Sequence, residues 1–256
     1  MLRASALPAF EDNYIWLLSA PGGDALIVDP GAAGPVFQAA AEGLRPAAIL
    51  LTHHHADHVG GAQALVDHFA IPCHAPADAR ITAATHRVAP GDRVRVAALD
   101  LWLDVIGVPG HTLSHVAFHG AGHLFCGDTL FSLGCGRMFE GQPAQFLASL
   151  DRLAALPDDT AVCCGHEYTE ANGRFARAVE PINPARDLRL ADVHALRARG
   201  LPSLPSTMGS ERACNPFLRI DQPGLLASLA ARLGHAPRDR AEAFGALRQW
   251  KDNFRP

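Results

Sequence analysis

The pattern of apolar and polar residues changes at about residue 168 of the chain. Before that point, short apolar runs separated by turn residues are typical of strands, with a few helix-like stretches between them. After it, apolar residues recur only with helical spacing. The pattern predicts strands at 13–18, 25–29, 47–51, 71–74, 93–96, 99–108, 115–119, 123–126 and 160–164, and helices at 34–43, 62–70, 143–156, 170–179, 184–199, 224–233 and 238–254. We therefore expect an α/β domain over residues 1–168 and an all-helical domain over residues 169–256.

Potential metal ligands are concentrated directly after the apolar run 47–51. Five of them lie within six residues: His53, His54, His55, Asp57 and His58. Imidazole and carboxylate groups bind zinc, iron or manganese. A solvated histidine tract or an artificial tag is the alternative, but a tag would lie at a terminus and would not continue through Asp57 into Gly60-Gly61 and a helix. The segment therefore predicts a metal-binding loop at the end of a strand.

Three other predicted strands end in a glycine beside a potential ligand. The ligands are His111, Asp128 and His166. Each is weak evidence alone, because a histidine after a glycine is usually structural. Together with His53, His55, Asp57 and His58 of the H-x-H-x-D-H loop they supply seven ligands from strand-terminal loops, which can converge on one edge of a sheet.

Composition narrows the class of protein. Of the 256 residues, 48% are apolar and 19% charged, and the net charge of −4 leaves no basic surface for nucleic acid or membranes. No apolar run approaches the ~20 residues that span a bilayer, and no secretory signal is visible before Phe10. Six cysteines without framework spacing indicate reduced thiols, so we expect a cytoplasmic protein. We also expect a monomer.

The ligand segments resemble those of the metallo-β-lactamase superfamily: H-x-H-x-D-H, then G-H-T, G-D-T and G-H-E-Y. The chain as a whole is similar to the hydroxyacylglutathione hydrolase (glyoxalase II) family, through segments at 126–131, 134–141, 165–169, 215–219 and 251–254. The resemblance implies an αββα sandwich, two packed β-sheets flanked by helices, followed by a small all-helical C-terminal domain. It also implies hydrolysis of S-D-lactoylglutathione to D-lactate and glutathione, the second step of methylglyoxal detoxification by the glyoxalase pathway.

The resemblance implies roles for the matching residues. His53, His55 and His111 would bind one divalent ion, Asp57, His58 and His166 a second, and Asp128 both. Zinc is the expected metal, with iron or manganese as alternatives. His54 would lie beside the site, and His115 would pack nearby. The glutathione moiety would contact Arg137, Tyr168, Arg248 and Lys251, of which Lys251 is the single lysine of the chain.

Charge favours hydrolysis at such a site. Two divalent ions with the carboxylates of Asp57 and Asp128 leave a net charge of roughly +2, since neutral histidines add none. That charge would lower the pKa of a bridging water toward ~7 and so provide hydroxide, with Asp57 and Asp128 as the candidates that assist its proton transfer. A thiolate, with a pKa near ~8.5, leaves without a general acid, so a thioester suits the site.

Two positions depart from the family pattern. Arg137 stands where a lysine is usual, and Phe139 stands where a tyrosine is usual. Arg137 keeps the charge with a different reach. Phe139 lacks a hydroxyl, and with it a hydrogen bond worth ~0.5–1.5 kcal/mol. We therefore expect weaker glutathione binding with the chemistry intact.

Other functions fit the sequence less well. A mononuclear iron persulfide dioxygenase of the same superfamily would use only His53, His111 and Asp128, which leaves the other ligands and the helical domain unexplained. A β-lactamase does not fit the cytoplasmic character, and a nuclease does not fit the net charge of −4. A non-enzymatic metal-binding or scaffolding module would not need a complete and open set of ligands.

Overall fold

The computed structural model describes residues 2–255, which divide into two compact units. The first unit comprises Met1–Val108, Ser114–Gly127 and Cys163–His166. The second comprises Pro109–Leu113, Asp128–Val162 and Glu167–Pro256. Because the two units interleave along the chain, the domain boundary expected near residue 168 stays a prediction.

The first unit contains two sheets. One has the strand order β1-β2-β3-β4-β5-β6: Arg3–Ala9, Asn13–Ser19, Asp24–Val28, Arg45–Leu50, Cys73–Pro76 and His86–Val88. Strands β1 to β3 pair antiparallel, and β3 to β6 pair parallel. The other has the antiparallel order β10-β9-β8-β7: Arg93–Val96 (β7), Leu101–Gly107 (β8), Val116–Gly120 (β9) and His123–Gly127 (β10). The parallel strands β3 and β4 both end at the edge where ligand-bearing loops begin.

The described part of the first unit contains three α-helices: Gly34–Ala41 (α1), Ala56–Val59 (α2) and Ala62–Phe69 (α3). Val36 of α1 and Leu65 of α3 are buried against Ile15, Ile27 and Ile49 of the first sheet. Removal of this apolar surface from water stabilises the unit by about 25 cal/mol per Å². The core thus fixes β4 and α3, which flank the segment 51–61 that contains the histidine-rich loop and α2.

The second unit is mainly helical. Its helices are Pro143–Ala154 (α4), Thr169–Val179 (α5), Pro184–Arg197 (α6), Met208–Cys214 (α7), Pro223–Leu233 (α8) and Arg240–Asp252 (α9). A small hairpin joins Leu130–Phe131 (β11) to Gly134–Cys135 (β12). Ala161 and Val162 of strand β13 (Ala161–Cys164) pair with Ser206–Thr207 (β14). Buried aromatic rings of Phe146, Phe175, Phe217 and Phe244 pack against one another with centroids 5.5–6.2 Å apart.

The long strands and helices predicted from the sequence are present, with ends displaced by a few residues. The pattern missed β1, β6, α2, α7 and the two-residue strands β11, β12 and β14. Strand β1 contains Pro8 and small residues and has mostly half-buried positions, so it shows little alternation. The others are too short to show a period. Among the residues described, no helix combines the length and the apolar character needed to cross a membrane.

Candidate metal centre and adjoining cavity

Five of the seven predicted ligands lie in the first unit. His53 and His55 follow β4, Asp57 and His58 lie on α2, and His166 follows β13. His53 Nε2 lies 3.1 Å from His55 Nδ1. Asp57 Oδ2 lies 3.5 Å from His58 Nε2 and 3.3 Å from His166 Nε2. The structure therefore brings these five side chains into two close groups.

These separations are those of ligand atoms that share one ion. Zinc–nitrogen and zinc–oxygen bonds of about 2.0–2.1 Å in tetrahedral geometry place neighbouring ligand atoms roughly 3.3 Å apart. One oxygen of Asp57 and one nitrogen each of His58 and His166 all lie within 4.8 Å of one another. The donor set thus fits a divalent cation.

Carboxylates orient the imidazole rings of two ligands. His58 Nδ1 donates to Asp29 Oδ2 at 3.0 Å, and His166 Nδ1 donates to Asp12 Oδ1 at 2.7 Å. Asp29 also accepts from the Thr52 backbone N–H at 2.8 Å and the Thr52 hydroxyl at 2.7 Å. Because Nδ1 of each ring is a donor to a carboxylate, Nε2 is the lone-pair nitrogen that can bind a metal.

Sequence reasoning missed Asp12 and Asp29. Asp29 directly follows β3 and precedes Pro30-Gly31, so it has the same strand-end position as the predicted ligands and could have been found by that signal. Asp12 lies in the turn between β1 and β2, where nothing in the sequence sets it apart. Asn13, also missed, donates to Asp57 Oδ2 at 2.9 Å.

The two histidines expected beside the site are indeed near the ligands. The His115 ring stacks on the ligand His53, with centroids 4.5 Å apart and an interplanar angle of 14°. His54 Nδ1 lies 3.6 Å from the buried Asp78 Oδ2, which also accepts from the Ser114 hydroxyl at 2.6 Å. His54 is thus directed toward a carboxylate of the protein.

The remaining two ligands, His111 and Asp128, lie in the second unit. Both are buried, and His111 Nε2 lies 3.6 Å from Asp128 Oδ2. His111 Nδ1 donates to the Arg137 carbonyl oxygen at 2.8 Å, which again leaves Nε2 as the metal-facing nitrogen. The backbone at Gly136 approaches Asp128 so closely that a Cβ there would lie 1.9 Å from the Asp128 carbonyl oxygen, so only glycine fits.

A cavity of about 530 Å³ in the second unit adjoins these two ligands. His111 and Asp128 line it, and so do all four residues predicted to contact substrate: Arg137, Tyr168, Arg248 and Lys251. Four cations, Arg137, Arg248, Lys251 and Arg255, line the cavity against two carboxylates, Asp128 and Asp252, and this excess of positive charge favours an anionic ligand. The cavity therefore joins potential metal ligands to a cationic wall.

The two cations of α9 that line the cavity, Arg248 and Lys251, differ in their surroundings. Arg248 is buried, and its guanidinium donates to the Cys135 carbonyl at 2.8 Å and to Asp252 Oδ1 at 2.9 Å. Lys251 Nζ donates to the Ala171 carbonyl at 3.3 Å. Burial, assisted by the nearby charges of Arg248 and Arg174, lowers the pKa of Lys251 to about 8. Lys251 is therefore the cation whose charge changes near neutral pH.

Three further residues of the cavity, Arg137, Phe139 and Tyr168, are more exposed. Phe139 has 61% of its surface exposed, and its ring centroid lies 5.3 Å from that of His111. The Tyr168 ring packs edge-on against Phe131 at 5.2 Å. The Arg137 side chain is largely exposed, with Nε 3.9 Å from Asp252 Oδ1. These side chains can move toward a ligand without disturbing the core.

Comparison with known proteins identifies the fold. Residues 10–97 and 103–166 match the model of the metallo-beta-lactamase superfamily. The crystal structure of TTHA1623 in a di-iron-bound form superposes with a TM-score of 0.58 at 27% identity, covering 84% of this chain and 100% of that one. The metallo-β-lactamase fold predicted from the sequence is therefore confirmed, together with the helical C-terminal part.

Two comparisons narrow the class further. Residues 167–254 match the model of the hydroxyacylglutathione hydrolase C-terminus. The hydroxyacylglutathione hydrolase of Xylella fastidiosa (strain M12) is 53% identical over 254 residues, which cover 99% of this chain and 98% of the relative. That of Xanthomonas campestris pv. campestris (strain B100) is 53% identical over 256 residues, covering 99% and 100%. The chain belongs to the hydroxyacylglutathione hydrolase family, as its resemblance implied.

Proposed function

We propose that this protein hydrolyses S-2-hydroxyacylglutathione thioesters, with S-D-lactoylglutathione as the principal substrate, to the 2-hydroxy acid and glutathione. It is a metal-dependent hydrolase, as its family membership and its clusters of histidine and aspartate indicate. The observation that carries the proposal is the cavity, which His111 and Asp128 line together with cations suited to an anionic tripeptide. The reaction is the second step of the glyoxalase pathway.

We propose that two divalent ions bind per chain. His53, His55 and His111 would bind the first, Asp57, His58 and His166 the second, and Asp128 both. Zinc is the first candidate, while iron or manganese suits the same nitrogen and oxygen donors. The related TTHA1623 is described in a di-iron-bound form. When bound, such ions lower the pKa of a coordinated water toward ~7 and stabilise negative charge on a carbonyl oxygen.

The side chains of the protein have separate tasks in this proposal. Asp57 and Asp128 orient the attacking water and assist its proton transfer. Asn13 keeps Asp57 in place, since its amide donates to Asp57 Oδ2. The thiolate of glutathione leaves without a general acid because its pKa is near ~8.5.

Substrate binding falls to the cationic wall. The Lys251 ammonium pairs with a carboxylate of the tripeptide, and Arg137 and Arg248 add positive charge beside it. The Tyr168 hydroxyl supplies a further hydrogen bond. Because the half-buried Lys251 donates to the Ala171 carbonyl, whereas Cys135 and Asp252 already bind the buried guanidinium of Arg248, we assign Lys251 the largest share of carboxylate binding.

A cytoplasmic location and a monomeric state stay predictions. The six cysteines are free thiols, which supports a reducing compartment. Size-exclusion chromatography with light scattering would test the monomer.

Hydrolysis of S-D-lactoylglutathione, followed as loss of thioester absorbance, tests the function. We expect the metal-loaded protein to turn over, and chelation or His58→Ala to abolish turnover. Lys251→Ala should chiefly raise KM. The exposed His235, far from any ligand in sequence, provides the control His235→Ala, which should match the wild type.

Elemental analysis of the same samples distinguishes the proposed hydrolase from a mononuclear iron dioxygenase. Two metal ions per chain without oxygen uptake would exclude a mononuclear dioxygenase. A sample that holds two ions per chain and fails to cleave the thioester would contradict the proposed function.

A further inference from the structure

The hairpin β11–β12 links a metal ligand to the wall of the cavity. It begins two residues after Asp128, and Arg137 follows two residues after its end. Phe131 and Cys135, one from each strand, line the cavity. Any change in the position of this hairpin would therefore move the substrate-binding wall.

The hairpin cannot hold its own conformation. Each strand has two residues, with the pairs Leu130–Cys135 and Phe131–Gly134. Isolated two-stranded hairpins are at best marginally stable in water. In the turn, Leu133 has φ +59°, a left-handed conformation that a branched side chain adopts reluctantly. Outside contacts must stabilise this geometry.

Two fully buried side chains, one helical turn apart, supply such contacts. Glu211 of α7 accepts the Leu133 backbone N–H at 2.8 Å, which holds the left-handed residue. Asn215, the residue after α7, directs its amide NH₂ to the carbonyls of Phe131 at 3.0 Å and Gly134 at 2.9 Å. The same NH₂ lies 3.1 Å from Glu211 Oε2, which links the two side chains.

The orientation of the Asn215 amide is set by a separate contact. Its Oδ1 accepts the Phe217 backbone N–H at 3.0 Å, so its NH₂ must face the hairpin. Side chains of helices α5 and α9 also donate hydrogen bonds to the hairpin. Asn172 donates to the Ser132 carbonyl at 3.1 Å, and Arg248 donates to the Cys135 carbonyl at 2.8 Å. Side chains from three helices thus hold the main chain of one short hairpin.

We propose that Glu211 and Asn215 are positioning residues for catalysis, which fix the hairpin 130–135 so that the cavity wall meets the substrate in a binding-competent geometry. Neither residue lines the cavity. Their effect on the reaction is therefore exerted through Phe131, Cys135 and Arg137. The kinetic part of this inference rests on the proposed thioesterase function.

Asn215→Asp is the strongest test, because it places a carboxylate oxygen against two carbonyls and the Glu211 carboxylate. Glu211→Gln is a milder second variant, which keeps one acceptor oxygen. Glu180→Gln is the matched control: Glu180 is also a buried carboxylate of the second unit, but it binds Arg219 and Asn183 instead of the hairpin.

Hydrogen exchange of the peptide covering 130–136 is the readout that does not depend on activity. We expect slow exchange in the wild type, and exchange faster by about tenfold or more in Asn215→Asp and Glu211→Gln, since a lost buried hydrogen bond allows local opening. Glu180→Gln should lower the melting temperature without changing exchange in this peptide.

Kinetics with S-D-lactoylglutathione provide the second readout. Both hairpin variants should raise KM, by about tenfold for Asn215→Asp, with a smaller fall in kcat. The control should leave both constants unchanged.

Two results would overturn the inference: rapid exchange of this peptide in the wild type, or KM values for both hairpin variants equal to that of the control. If Asn215→Asp does not fold, the inference is still tested by the exchange rate and KM of Glu211→Gln and by the exchange rate of the wild type. An inactive wild type with a protected hairpin would refute the proposed function and leave the structural role of the two residues intact.

Discussion

The ligand groups of the first unit and the cavity of the second unit are organised by different kinds of contact. In the first unit, several predicted ligands and the carboxylates that orient them lie at or shortly after strand ends, as with Asp29 after β3 and His53 after β4. In the second unit, side chains from α5, α7 and α9 hold a hairpin from positions up to 113 residues away. Metal-binding chemistry can thus be specified by short motifs, whereas a substrate cavity depends on packing between distant segments.

Among the residues that orient a predicted metal ligand, Asp29 is expected to have the largest effect on metal affinity. Asp29→Ala removes the acceptor for His58 Nδ1 and for Thr52, so the imidazole loses its fixed tautomer and orientation. Loss of such a partner typically costs 10–100-fold in metal affinity, and we expect about that loss here. Competition of the protein with a chromophoric chelator measures it.

A nearby carboxylate offers the control for this variant. Asp24 is the first residue of β3, and its carboxylate binds the exposed Arg45. Asp24→Ala should change metal affinity less than about twofold, because exposed ion pairs contribute little. Equal affinities for Asp29→Ala and Asp24→Ala would show that orientation of His58 does not matter.

The second prediction concerns the pH dependence of substrate binding in the cavity. Lys251 has a pKa lowered to about 8, so its ammonium is present below that pH and is lost above it. Since a substrate carboxylate binds the charged form, KM should be flat below pH 8 and rise above it, by up to about tenfold per unit until the level of Lys251→Ala is reached. Steady-state kinetics between pH 6 and about 9.5 measure this profile.

The variant Lys251→Arg shows whether the rise in KM comes from titration of Lys251 or of another group. A guanidinium stays charged up to a pKa above ~12, so this variant should lose the rise in KM near pH 8. A rise that persists in Lys251→Arg would assign it to another group. The contribution of Lys251 to stability should increase between pH 8 and about 10.5, because the unfolded state then binds more protons at this lysine than the native state. The buried thiols of Cys73, Cys135, Cys163 and Cys214 have raised pKa values and act in the opposite direction.

These contrasts explain how much the sequence could predict. His53, His111 and His166 could be predicted as ligands because each stands in a short motif after a strand, and His58 because it belongs to the same motif as His53. The hairpin contacts of Glu211 and Asn215 could not be found, because a buried glutamate and an asparagine near a proline have no pattern that points to residues 130–135. Arg248 was predicted to bind substrate, a role that stays a prediction, but its bonds to Cys135 and Asp252 depend on tertiary packing.

The smallest effect is expected from the substitution Phe139→Tyr, which adds a hydroxyl group to the cavity. The Phe139 ring is 61% exposed beside His111, so Phe139→Tyr adds an oxygen without overpacking. One hydrogen bond to glutathione, worth ~0.5–1.5 kcal/mol, should lower KM about two- to tenfold and leave kcat unchanged, because the metal ligands are not disturbed. Phe10, 63% exposed in the first unit, provides the control Phe10→Tyr, which should not change KM. An unchanged KM in Phe139→Tyr would mean that glutathione affinity depends on the cations and the hairpin that positions the wall, and that this ring is only a boundary of the cavity.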